Sequence, residues 1–233
     1  MKLTIEKKLK KPILIHGNPN FGLVSTIAIK FLIDHLDVQE IGYIESEHLP
    51  PLTAIHKGKI IKPISIFYNE KYNLAIVQSL TEAAGHEWEL ADALVNLANT
   101  IDAKETITIE SMPAHEEKTN IYYYSNKNKV KGIEPVKESL IMGTTAAFLL
   151  KGKDLNTTCI FAEAHSQLPD SEAAAKVITV LNGYLNMKVD TKPLLEQAKR
   201  FEETLRNYMQ KMKKSMPMKM SEEETKEQTN YFG

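Results

Sequence analysis

At 233 residues, 42% hydrophobic and 25% charged, the chain has an ordinary globular composition and can bury one large core with an appendage. Its 29 basic and 30 acidic side chains leave a formal net charge of −1, which gives no general attraction to nucleic acid or to an anionic membrane. The single cysteine, Cys159, rules out a disulfide within the chain, and no apolar run approaches the roughly 18 residues of a membrane span.

In chain order, Lys7-Lys8-Leu9-Lys10-Lys11 reads as a solvated, frayed first turn. The apolar run Pro12-Ile13-Leu14-Ile15 that follows is too short for a signal peptide, so a cytoplasmic location is expected. Ile13–His16 reads as a short strand that stops at Gly17-Asn18-Pro19-Asn20. From Gly22 a helical pattern follows, with Val24, Ile27, Ala28, Phe31 and Leu32 on one face. Glu40–Ile44 is strand-like, and Leu49-Pro50-Pro51 breaks the chain. Two short runs, Thr53–His56 and Ile60–Ile61, are joined by Lys57-Gly58-Lys59 as in a hairpin. Ile64–Tyr68 and Leu74–Gln78 make a second pair.

Helical spacing returns from Glu87 to Ile101. Thr106–Glu110, Asn120–Tyr124 and Thr157–Phe161 are rich in β-branched and aromatic residues. The last of these runs holds Cys159, which reads as a small buried hydrophobe rather than a nucleophile. Gly143-Thr144-Thr145 reads as a strand-to-helix turn before Ala146–Leu150. Pro169-Asp170-Ser171-Glu172 opens a helix with the stripe Ala174, Val177, Ile178, Leu181, Tyr184 and Leu185. Asp170 or Ser171 caps it, and Glu172 complements the positive helix end. Strands alternating with helices predict an α/β fold, a three-layer α/β/α sandwich with a mostly parallel or mixed sheet over residues 1–190.

After Pro193 the apolar residues Leu194, Ala198, Phe201, Leu205, Tyr208 and Met212 form a heptad seam, giving a C-terminal helix over 191–214. The seam fits packing on its own domain as well as pairing with a second copy. Residues 215–233 are too polar to bury themselves and read as a flexible tail, with Tyr231, Phe232 and Gly233 at its end.

Several clusters suggest chemistry, and each has a blander reading. Gly17–Gly22 stands where phosphate loops occur but lacks the lysine and hydroxyl of a Walker loop, which favours a structural turn. His86-Glu87-Trp88-Glu89-Leu90 has the first two letters of a zinc-protease helix without its second histidine. Glu45, Glu47 and His48 are acid–base or metal-ligand types, yet a solvated loop explains them. Glu163, His165 and Asp170 follow the strand ending at Phe161, at the edge where α/β proteins bind ligands. His165 as base and a carboxylate to orient it is the strongest enzymatic reading, although Asp170 is also explained as a cap. No catalytic set, metal or cofactor is assigned.

Four segments together resemble the PAC2 family, the archaeal branch related to proteasome assembly chaperones. They are Gly17-Asn18-Pro19-Asn20-Phe21-Gly22-Leu23-Val24; Leu49-Pro50-Pro51; Gly143-Thr144-Thr145-Ala146-Ala147-Phe148-Leu149-Leu150; and Ala162-Glu163-Ala164-His165 with Pro169-Asp170 and Ala173-Ala174-Ala175. The resemblance spans about residues 10–190. It implies a sandwich related to purine nucleoside phosphorylases without an established enzymatic activity. It also implies a homo-oligomer, and docking to the α-subunits of the 20S proteasome by a C-terminal hydrophobic-Tyr-any tripeptide. In this chain Tyr231, Phe232 and Gly233 fill those places, and Phe232 lacks the tyrosine hydroxyl. The expected function is therefore a non-enzymatic assembly chaperone or adaptor, with a nucleoside- or phosphate-handling enzyme at Glu163 and His165 as the alternative.

Overall fold

The computed structural model describes residues 1–56, 58–114, 119–165 and 168–196, without the side chains of His56 and Lys59. The seam residues Ala198, Phe201, Leu205, Tyr208 and Met212, and the whole segment 215–233 with Tyr231, Phe232 and Gly233, lie outside the described residues. In chain order the elements are β1 (Lys2–Ile5), β2 (Ile13–His16), a 3₁₀ turn at Phe21–Leu23, α1 (Val24–His35), β3 (Gln39–Glu45), β4 (Ala54–His56), β5 (Lys59–Ile61), β6 (Ile64–Asn69), β7 (Leu74–Ser79), α2 (Glu87–Thr100), β8 (Glu105–Pro113), β9 (Ile121–Ser125), β10 (Glu134–Pro135), α3 (Gly143–Lys151), β11 (Thr157–Ala164) and α4 (Ser171–Leu185).

Nine of these strands form one mixed sheet in the order β1-β3-β6-β7-β2-β8-β11-β9-β10. Its centre, β7-β2-β8-β11, is parallel. Antiparallel pairs flank it, with β1, β3 and β6 on one side and β9 on the other. The hairpin β4–β5 stands apart as a two-stranded sheet, with Ile55 opposite Ile60 and both exposed.

The central strands are covered on both faces, which explains their unbroken apolar runs. All six residues of β7 and all eight of β11 are buried. The two-residue alternation sends Ile15, Leu74, Ile76, Ile107, Ile109 and Ile160 to one core with α1 and α4. Leu14, Ile41, Ile64, Ile66, Ala75 and Val77 face the other core with α2 and α3. Each fully buried aliphatic side chain contributes about 1.5–3 kcal/mol of transfer free energy. Ala173, Ala174 and Ala175 are buried on α4 and, being small, let the helix lie close against the sheet.

Most expected elements are present, with the bounds moved by a few residues. The basic N-terminal run is more than a frayed turn, because β1 precedes it and Leu9 packs against the second core. The step at Gly143 is not a direct strand-to-helix turn, since residues 126–142 intervene with only the two-residue β10. Leu194 is buried in the first core, within the compact unit Met1–Leu195. No described helix is long and apolar enough to cross a membrane.

Candidate functional site

The parallel strands β2, β7 and β8 end at one edge of the sheet, and the loops leaving them surround a cleft of about 240 Å³. In parallel α/β sheets this carboxyl edge is where ligands bind. The cleft is lined by Asn18 and Asn20 after β2, Glu82 and Glu87 after β7, Glu110 on β8, and Thr144 and Thr145 on α3.

The segment Gly17–Val24 builds one wall. Gly17 cannot be replaced freely, because a Cβ there would lie 2.7 Å from Ser25 Cβ and 2.8 Å from the Ile109 carbonyl. Gly22 turns the chain with φ of 66°, and its carbonyl accepts from the Asp170 N–H at 2.9 Å. The Ser111 hydroxyl donates to Asn20 Oδ1 at 2.7 Å and to the Phe21 carbonyl. Much of this loop's polarity is thus spent on holding its own shape, as a structural turn requires.

Glu110 is the charge at the floor. Its carboxylate accepts from Asn20 Nδ2, from the Ser111 N–H at 3.1 Å and from the Thr145 hydroxyl at 2.5 Å. Burial nevertheless pushes its carboxyl above the ordinary range, because removal from water outweighs those three donors. Nearby, the buried Asn18 Nδ2 has no hydrogen-bond partner among the described residues. His16, at the end of β2, is 1% exposed, and neither of its ring nitrogens is partnered among the described residues. Its ring meets Phe148 edge-on at 4.7 Å, and burial lowers it to about 4, so the imidazole is neutral at physiological pH.

The residues singled out from sequence fall in three places. Glu163 is buried and accepts from both the Asn120 N–H at 3.1 Å and the Asn120 amide at 2.9 Å. His165 Nδ1 lies 3.7 Å from Asp170 Oδ2. Asp170 also caps α4, its Oδ1 accepting from the Ala173 N–H at 2.8 Å. Glu45 pairs with Lys2 at 3.1 Å rather than joining His48. His48 instead meets Glu89, which also accepts from His86. Hydrogen bonding from His86, then from His48, holds the Glu89 carboxyl at about 2. Cys159 is fully buried, and desolvation pushes its thiol well above the usual range, as a core residue rather than a nucleophile.

Glu110, His16 and the His48–Glu89 contact carried no signal in the sequence. Glu110 looks like one residue of an alternating strand, and His16 like the polar end of another. Their burial arises from loops and helices that arrive from elsewhere in the chain.

Comparison with known proteins gives the fold a context. A crystal structure of Pyrococcus furiosus PbaA, an archaeal homolog of proteasome-assembly chaperone, is similar with a TM-score of 0.82 and 26% identity. That match covers 91% of this chain and 93% of the other. Pyrococcus furiosus PbaB, an archaeal proteasome activator, has a TM-score of 0.76 at 21% identity over 89% of this chain and 98% of its own, a likeness of fold. An uncharacterized protein of Methanocaldococcus jannaschii (MJ0106) is 25% identical over 230 residues, covering 91% of this chain and 94% of the relative. The PAC2 family model matches residues 14–209, so the chain belongs to the PAC2 family.

Proposed function

We propose that the protein is a non-enzymatic proteasome assembly chaperone or adaptor that binds the α-ring of the 20S proteasome through Tyr231-Phe232-Gly233. The observation that carries this reading is the likeness, over nine-tenths of the chain, to a protein described as a homolog of proteasome-assembly chaperone. The tail adds a physical route. Two aromatic rings offer a large contact area with few rotors to freeze. A polar segment of about 17 residues reaches roughly 20–25 Å if it behaves as a flexible coil. One such peptide binds weakly, so the reading includes a homo-oligomer whose several tails engage the ring together. The seam Leu194, Ala198, Phe201, Leu205, Tyr208 and Met212 is the proposed oligomer contact beyond Leu194, whose own side chain lies in the core.

The alternative, an enzyme handling a nucleoside or phosphate, is less well served by the cleft. Glu82, Glu87 and Glu110 line it and, among the described residues, no lysine or arginine does, which makes a poor receptor for an anion. The Glu163 carboxylate, assigned to that chemistry from sequence, is already held by Asn120.

Binding of the full chain to purified 20S particles, compared with a chain lacking residues 231–233, tests the reading. Association is expected to fall at least about tenfold on deletion, a loss of about 1.4 kcal/mol. Phe232→Tyr is expected to tighten it about fivefold, since a hydroxyl hydrogen bond contributes about 1 kcal/mol. Unchanged affinity after deletion would sink the tail mechanism alone. Absence of any binding by the full chain would sink the wider reading.

A further inference from the structure

β3 and β7 run in the same direction, because each is antiparallel to β6 between them. Both therefore release the chain at the same edge of the sheet. His48 stands three residues beyond β3, and His86 stands directly before α2, seven residues beyond β7. Sequence distance hides this juxtaposition and topology enforces it.

The two imidazoles converge on one carboxylate. His48 Nδ1 lies 3.0 Å from Glu89 Oε2, and His86 Nδ1 lies 2.9 Å from Glu89 Oε1. The two rings stack with centroids 4.8 Å apart and planes 19° apart. One ligand atom from each of the three side chains lies within 4.8 Å of the other two.

Two imidazole nitrogens and one carboxylate oxygen are a recurrent donor set for zinc, with bonds of about 2.0–2.2 Å. A tetrahedron with such bonds has an edge of about 3.4 Å. The two nitrogen–oxygen separations, each to a different Glu89 oxygen, fall just inside that edge, and the three ligand atoms lie within 4.8 Å of one another, so adjustments of up to about 1.4 Å bring them onto one ion. The side chains of His48, His86 and Glu89 are 59%, 33% and 40% exposed, which leaves the cluster open to an ion from solvent and to a water as fourth ligand. With neutral histidines the cluster carries one negative charge, and Glu47 and Glu87 adjoin it in sequence. The second histidine missing from the His86-Glu87-Trp88-Glu89 motif is thus supplied by the loop after β3.

We propose that His48, His86 and Glu89 bind a divalent transition-metal ion of the zinc type, with one coordination position left to water. The ion ties the loop after β3 to the first turn of α2, reinforcing the shared core in which Leu49 of that loop is buried with Leu90 and Leu94 of α2. The site lies beside the cleft wall that Glu87 forms, and it is independent of the tail and of the proposed partner.

Titration of Zn²⁺ into the untagged full chain at about pH 7.5, where imidazole is largely neutral, tests this assignment. Trp88, the chain's single tryptophan, lies between His86 and Glu89 and reports occupancy by fluorescence; Co²⁺ reports coordination by its visible absorption. The expected result is one ion per chain and a higher melting temperature in its presence. His48→Gln and His86→Gln should each weaken binding by at least about tenfold, as even outer-shell partners of metal ligands carry ten- to hundredfold. His48 is on an exposed loop, so its variant stays folded, which circular dichroism checks; His165→Gln should bind like the parent chain. Lack of saturable one-to-one binding, or binding unaltered by the His48 and His86 variants, would overturn the proposal.

Discussion

Glu110 sets two physical effects against each other. Three hydrogen-bond donors favour its charged form, and burial disfavours it more strongly, so its carboxyl stands above the ordinary 4.5. A group whose folded pKa is raised contributes most to stability below its unfolded pKa, and that contribution is lost as pH rises through the folded value. Glu110→Gln removes the charge while its carbonyl still accepts from Asn20 and Ser111, and its amide can donate to the Thr145 oxygen. The variant's melting temperature, relative to the parent, is therefore expected to rise as pH moves from about 4.5 to 8. A relative melting temperature that falls with pH would show that the carboxylate's hydrogen bonds outweigh its burial. Neither sign was legible in the sequence, where Glu110 is one more residue of a strand. The loop carrying Asn20, 90 residues away, must fold onto β8 before the carboxylate is desolvated.

At the scale of elements, the readable signals were the local ones. Asp170 or Ser171 was expected to cap the helix that follows, and it is the Asp170 carboxylate that accepts from the Ala173 N–H, at 2.8 Å. Capping needs only four consecutive residues and the unsatisfied amides of one helix end, so sequence states it nearly completely. Asp170→Ala should cost about 1 kcal/mol in urea unfolding. A loss under about 0.3 kcal/mol would mean that the Gly22 carbonyl and the packing of α4 hold the helix end without the cap. The strands β1 and β10 escaped notice for the converse reason. Each is short, and each exists only because a neighbouring strand presents free backbone groups. Likewise, Glu45, Glu47 and His48 looked like one cluster because they are adjacent in the chain. Instead Glu45 reaches Lys2, while His48 crosses to Glu89 on α2.

For the whole molecule, the heptad seam after Pro193 is the feature whose meaning depends most on what surrounds it. Leu194 opens that seam and is 2% exposed, packed with α1 and α4 in the first core. Leu194→Ala should therefore cost about 2–5 kcal/mol of unfolding free energy, the usual penalty for a buried leucine. If the core is its only role, light scattering should give the variant the subunit number of the parent. A change in subunit number without loss of stability would place Leu194 in an interface instead.

The sequence alone determined the fold class, the order of most elements, the α4 cap, the buried character of Cys159 and the family motifs. These depend on periodicity, on turn residues and on short-range hydrogen bonding, all encoded within a few positions. Only the tertiary structure decided which polar groups are desolvated and which meet. It buried Glu110 and His16, gave Glu163 to Asn120, and set two histidines from separate loops on one carboxylate. Burial and convergence depend on where distant segments land, and that position comes from sheet topology rather than from neighbouring residues.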